Sequence, residues 1–140
     1  MKKILIILLL ITTFSFSDGG SLSGTWEYIG GVYNGKKRNS SPEYTLERMY
    51  IDETHFITYA LYTLKTDFKP KIYETGNYSV KADTCIETQT YSMQSTKLNN
   101  IAVHYQFTIR NDSLILKGFL PPGMVVEEYW KRVPPAPPPL

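Results

Sequence analysis

Residues 105–116, Tyr105-Gln106-Phe107-Thr108-Ile109-Arg110-Asn111-Asp112-Ser113-Leu114-Ile115-Leu116, place large apolar side chains at every second position on both sides of Asn111-Asp112. A period of two is the pattern of half-buried strands and Asn-Asp is a turn dipeptide, so the stretch reads as a β-hairpin. A two-residue turn sets Ile109 opposite Leu114. Tyr105, Phe107, Ile109, Leu114 and Leu116 then share one face, and a face that apolar must point into a core.

The same pattern continues in both directions. Short runs rich in Tyr, Phe, Ile, Val and Thr are separated by turn residues, and no stretch holds apolar residues at helical spacing over three turns. Strands are expected at about 25–32, 44–51, 55–64, 72–81, 84–92, 101–110, 113–119 and 126–133. An aromatic content of 14%, with eleven tyrosines, suits half-buried pleated surfaces. The connections at Asp52-Glu53-Thr54, Ala82-Asp83 and Asn111-Asp112 are tight, whereas those at 33–43, 65–71, 93–100 and 120–125 are long. In an up-and-down meander alternate connections lie at opposite ends. The pattern therefore predicts an all-β, eight-stranded antiparallel barrel with one closed end and one open, loop-rimmed end, which also leaves no exposed sheet edge.

The turn at Ala82-Asp83 pairs Val80 with Cys85, so Gly76, Tyr78 and Val80 should share a face with Cys85, Glu87, Gln89 and Tyr91. If that mixed face is the inner one, the interior carries polar groups. Toward the open half, Tyr62, Tyr73, Tyr91 and Tyr105 are expected to line a cavity of apolar walls with hydrogen-bonding tips, with Tyr78 and Glu87 on the same inner surface. Packing of the barrel by its own side chains is the competing expectation.

Several function classes lose their basis. Lys2 and Lys3 precede an apolar run, Ile4 to Ile11, and a polar Ser15-Phe16-Ser17, the order of a signal peptide cleaved near Ser17. The apolar run is well short of the ~20 residues that a spanning helix needs. Residues 1–17 are thus read as a signal peptide, 18–133 as the barrel domain and 134–140 as a proline-rich, disordered tail. The expected location is periplasmic or secreted, with no integral membrane segment after cleavage. Cleavage removes two of 15 basic residues and none of 13 acidic ones, leaving a formally neutral chain with no electrostatic case for nucleic-acid binding. The remaining 123 of 140 residues suffice for one domain with its own core. A monomer is expected.

Cys85 is the single cysteine, so no intrachain disulfide can form, and a strand position favours an inert thiol over a reactive one. His55 and His104 fall in different strands with no metal-ligand spacing, and no metal or cofactor is expected. No nucleophile elbow, zinc-helix, phosphate-loop or dinucleotide motif occurs. Glu127 and Glu128 are adjacent, hence on opposite faces of a strand, and cannot work as an acid–base pair. No catalytic residue is assigned; Glu87 as an acid or base on a bound molecule is the one enzymatic alternative.

Gly24-Thr25-Trp26-Glu27-Tyr28 resembles the start of a lipocalin or fatty-acid-binding barrel, and Leu22-x-Gly24-Thr25-Trp26-Glu27, Gly76-x-Tyr78 and Glu128-Tyr129-Trp130-Lys131-Arg132 together resemble the small secreted lipocalin-like domains of unknown function of Bacteroidetes-type bacteria, over residues 22–133. The later sequence blocks and the disulfide of animal lipocalins are absent. The resemblance implies a lipocalin-like barrel in which the first-strand tryptophan, Trp26, plugs the closed end and a late arginine, Arg132, packs across it. Glu87, expected at the same end, would complete a Trp26–Arg132–Glu87 plug. The implied function is non-catalytic binding of a small hydrophobic or amphiphilic ligand; Lys36, Lys37 and Arg38, expected at the mouth, read either as a solvated loop or as a cluster suited to an anionic head group. The alternative is an envelope protein-interaction or inhibitor module with a filled barrel and an apolar rim at Phe119, Leu120 and Met124.

Overall fold

The hairpin expected around Asn111-Asp112 is formed by strands β7 (Ala102–Arg110) and β8 (Ser113–Leu120), with Ile109 paired to Leu114 and Tyr105 to Gly118. This is a computed structural model, and it describes residues 20–63, 69–121 and 123–134. The expected signal peptide, nearly all of the proline-rich tail, and part of the 65–71 connection lie outside the described residues.

The other strands are β1 (Gly24–Tyr33), β2 (Lys36–Asn39), β3 (Tyr44–Ile51), β4 (His55–Tyr62), β5 (Lys71–Lys81), β6 (Thr84–Ser92) and β9 (Met124–Val133). Every neighbour is antiparallel, and β1 pairs with β9 from Thr25–Val133 to Tyr33–Val126. That pairing closes β1 and β3 to β9 into an eight-stranded up-and-down barrel. Closure removes the free edge wherever these strands pair.

The 33–43 connection is shorter than expected because it contains β2. Asn34 and Gly35 both take positive φ, 48° and 77°, the conformation of a two-residue hairpin turn whose twist matches its strands. Lys36 and Lys37 therefore fold back onto Tyr33 and Val32. β1 is shared along its length: Gly24–Glu27 pair with β3 and Gly30–Tyr33 with β2. β3 pairs with β1 only through Glu47–Tyr50, and Ser40, Ser41, Tyr44 and Leu46 border the interior.

At the closed end each short turn ties down the next strand. Tyr78 donates its backbone N–H to Thr54, Phe107 to Asp83 and Arg132 to Asp112, at 2.9, 2.8 and 2.8 Å. Leu22, Trp26, Ile109, Leu114 and Leu116 are buried beneath these turns. Complete burial of side chains of this size is worth about 1.5–3 kcal/mol each.

Three irregularities break the alternation, the first in β1, where Tyr28 pairs with Trp130 and Gly30 with Tyr129 so that Ile29 is an extra residue. Between β5 and β6, Thr75 pairs with Tyr91 and Gly76 with Gln89, so Thr90 is an extra residue. Between β4 and β5, Thr58 pairs with Glu74 and Tyr59 with Ile72, so Tyr73 is extra. A bulge interrupts strict alternation and re-aims the side chains beyond it. Tyr91 is turned outward and does not join the inner face that two-residue counting assigns to it, whereas Val80, paired with Cys85, keeps that face and is exposed only because it stands at the strand end.

Candidate functional site

Arg48 is buried inside an otherwise mostly aromatic and aliphatic barrel, 7% exposed, and three carboxylates gather round it. Its strand sets Arg48 opposite Thr58, two residues beyond the Tyr50–Phe56 pair that follows the Asp52-Glu53-Thr54 turn. Its Nη1 donates to both oxygens of Glu87 at 3.3 and 3.0 Å, its Nη2 to Glu74, and its Nε to Thr58 Oγ1 at 3.1 Å. The guanidinium lies 4.9 Å from the Phe56 ring centroid and 4.8 Å from that of Trp130. Phe56 can approach because its cross-strand partner is Gly76: a Cβ there would stand 2.5 Å from the ring and 2.4 Å from the Thr88 carbonyl.

The carboxylates are held by further donors. Tyr50 donates to Glu87 Oε1 at 2.5 Å, and Gln89 Nε2 to Glu74 Oε2 at 2.6 Å. Glu128 accepts from the Tyr33 hydroxyl at 3.0 Å and from Trp130 Nε1 at 3.1 Å. Three acids face one base, so the electrostatics are lopsided. Burial works against the Arg48 charge, but Glu87, then Glu74, outweigh it and the guanidinium stays protonated. Burial pushes the Glu87 carboxyl above the usual range against the pull of Arg48 and Tyr50. It does the same to Glu128, against Arg48 and reinforced by Glu87 and Glu74.

This cluster forms the floor of a cavity of about 470 Å³ that opens at the loop-rich end. Tyr28, Tyr33, Tyr44, Tyr73 and Tyr105 wall it, Leu98, Ile101 and Leu120 border it, and Ser92, Gln94 and Thr96 supply polar groups. Arg38 stands beside the mouth with its guanidinium 4.9 Å from the Tyr33 ring centroid, while Lys36 and Lys37 are exposed on β2. The volume falls in the range of small-molecule sites.

The sequence-predicted residues divide. Tyr73, Tyr105 and Glu87 line the cavity. Tyr62 lies beside Tyr44, with ring centroids 5.4 Å apart, outside the lining, and takes the Lys71 ammonium on its face. Tyr78 is buried at the closed end against Tyr50, in a T-shaped contact at 4.8 Å. Tyr91 is 47% exposed on the outer surface, because the extra Thr90 turns it out of the barrel.

Arg132 lies over Trp26 at 4.1 Å and donates to the Ser23 and Ser21 carbonyls at 2.9 and 3.1 Å. Trp26 is fully buried and donates to the Leu22 carbonyl. The expected third member of this plug is corrected: Glu87 pairs with Arg48 and Tyr50, whereas the carboxylate facing Arg132 is Asp112, at 3.9 Å. Arg132 sits at the strand end with its donors on the N-terminal segment, and Glu87 belongs to the cavity floor.

Sequence reasoning missed Arg48, Glu74 and Glu128. Two signals were present. Arg48 shares parity with Leu46 and Tyr50 beside a short turn, and Glu128 shares parity with Val126 and Trp130. Glu127, on the opposite face, pairs with Lys117 at the surface, at 3.6 Å. Cys85 is buried 3.9 Å from Glu87 Oε1, and burial and then that carboxylate push its thiol well up. Among the described residues no group of histidine, cysteine and acidic side chains is placed to hold a metal ion.

Comparison with known proteins places the chain in a family and bears on its fold. A family described as "Domain of unknown function (DUF4488)" matches residues 21–139. The crystal structure of a lipocalin-like protein from Bacteroides uniformis superposes with a TM-score of 0.56 at 15% identity, covering 81% of this chain and all of that one. A mutant of the fluorescent protein UnaG gives a TM-score of 0.43 at 10% identity, over 81% of this chain and 97% of that one. No curated protein matches the sequence.

Proposed function

The chain belongs to this family of domains of unknown function, and from that premise we propose that it is an exported, non-catalytic lipocalin-like barrel that holds one small amphiphilic molecule in its open-end cavity. The observation that carries the reading is the cavity itself, about 470 Å³, with aromatic walls above a buried, hydrogen-bonded charged floor. Walls of this kind contribute apolar contact area, and a few fixed polar groups orient a ligand's polar end. The order of charged, apolar and small residues in 1–17 supports export to the periplasm or the exterior.

The floor is a binding device in this reading, since each Arg48-facing oxygen already has a donor and the thiol beside Glu87, Cys85, is buried and held protonated. An interaction module would need a filled barrel, and the cavity favours the binder. The test is native mass spectrometry of the mature protein purified from its own host, followed by extraction and identification of what co-purifies. One small molecule per chain is expected, lost in Ser92→Trp, whose indole would enter the cavity where Ser92 lines it opposite Glu74. A bare protein mass, persisting after incubation with a host metabolite and lipid extract, overturns the reading.

A further inference from the structure

The cavity holds more acid than base. Among the described residues lining it, Glu74, Glu87 and Glu128 are acidic, while Arg48 is the basic residue at the floor and Arg38 stands at the mouth. Arg48 is committed: its donors reach Glu87, Glu74 and Thr58, and aromatic rings lie against it. Glu128 receives neutral donors, the Tyr33 hydroxyl and the Trp130 indole, with no ion pair among its contacts. Gln89 lines the same cavity, and its Oε1 is shut off from solvent with no donor. Arg48 acts on Glu128 only through space, and a buried carboxylate without a cation in contact is costly, as is a buried acceptor without a donor. The site is short of positive charge and of N–H groups.

We propose that the cavity takes a small organic cation, an amine whose ammonium group pairs with Glu128 while its apolar part lies against the tyrosine walls. The inference rests on reading the cavity as a small-molecule site and names the ligand's chemical class. An ammonium supplies what the site lacks: a full positive charge, up to three donors, and attraction to the ring faces of the tyrosine walls, such as those of Tyr28 and Tyr105. A carboxylate head group would instead meet a surplus of like charge at the floor, whatever the basic residues of β2 do at the rim.

The experiment is a calorimetric titration of the mature protein, near neutral pH, with three probes of matched size: 2-phenylethylamine, 2-phenylethanol and 3-phenylpropionate. The amine is expected to bind at least about tenfold more tightly than the other two. Glu128→Gln should remove about tenfold of the amine's affinity and leave the alcohol's unchanged. Tyr33→Phe, which keeps the Glu128 charge, should retain the amine preference and serves if the glutamine variant fails to fold. Equal or tighter binding of the alcohol or the carboxylate overturns the cationic assignment and leaves the small-molecule reading standing. Absence of binding by the amine, and by linear alkylammonium ions in its place, also overturns it; the co-purification experiment then decides the small-molecule reading separately.

Discussion

Removing the guanidinium from the barrel floor isolates what the charged cluster costs and contributes. In Arg48→Met the side chain keeps its approximate length and apolar body, but Glu87 loses its bidentate partner, Glu74 its cation, and Thr58 its donor. The Arg48 and Glu87 side chains are 8% and 7% exposed and that of Glu74 is 15% exposed, so water cannot substitute freely. Breaking a buried pair by deleting one partner costs about 3–5 kcal/mol, against a total stability of about 5–15 kcal/mol for a domain. With a urea m-value of about 2 kcal/mol/M, the unfolding midpoint should fall by about 2 M. Tryptophan fluorescence during urea unfolding reads this directly, since Trp130 lies against Arg48. Orphaned carboxylates can take up protons, so the loss should shrink between pH 7.5 and pH 5. Replacing the cluster together, in Arg48→Met/Glu74→Leu/Glu87→Leu, should recover most of the lost stability, because apolar packing removes the charges that Arg48→Met strands. A midpoint shift under about 0.5 M for Arg48→Met, or one equal at both pH values, would mean that Arg48 does not hold these carboxylates in place.

Stability of the native protein should also depend on pH. The folded state holds Glu87, Glu128 and, through burial and then Glu27, Glu47 above the ordinary carboxylate value of 4.5. Between that value and the raised ones the folded state binds more protons than the unfolded chain, so these groups lower stability as pH rises through the window and favour folding below it; urea unfolding at pH 5 and pH 7.5 checks the sign, and Glu128→Gln should flatten the profile. Gly76→Ala should destabilise by about 1–3 kcal/mol, seen as a lowered thermal midpoint, because the new Cβ meets the Thr88 carbonyl and the Phe56 ring that supports Arg48. An unchanged midpoint would mean that β5 can shift at no cost. Cys85 should resist a disulfide reagent such as DTNB in the folded protein and react on unfolding in urea, since its thiol is buried and raised well above its ordinary range.

Which parts were legible in the sequence follows from which parts obey alternation. Asn111-Asp112 and Ala82-Asp83 are tight turns between regular strands, so the Ile109–Leu114 and Val80–Cys85 pairs follow from counting alone. The lengths of the connections separate the closed end from the open one for the same reason. β2 escaped because it is four exposed residues, Lys36–Asn39, with no apolar period; the Asn34-Gly35 turn was its one trace. At the site, counting fails where a bulge intervenes. The extra Thr90 sends Tyr91 outward and leaves Ser92 facing the cavity opposite Glu74. The extra Tyr73 lets two consecutive residues, Tyr73 and Glu74, both reach the interior, which no regular strand permits.

The position of these failures bears on why the charged floor exists. Lipocalin-like closure, short turns and the Trp26–Arg132 contact already provide a stable closed end, and Leu114, Leu116 and Val126 show that this barrel can bury aliphatic side chains. A barrel shaped by stability alone would continue that packing upward, since well-packed apolar residues in place of a buried ion cluster are commonly neutral or stabilising. Here instead Arg48, Glu74, Glu87 and Glu128 occupy inward positions in the cavity, with a glycine at position 76 making room for the ring beneath the guanidinium. Local rules broken together at one place in an otherwise consistent fold point to a site. Stability does not account for an excess of carboxylate over guanidinium at the bottom of an open cavity, whereas a bound partner that brings the missing positive charge does.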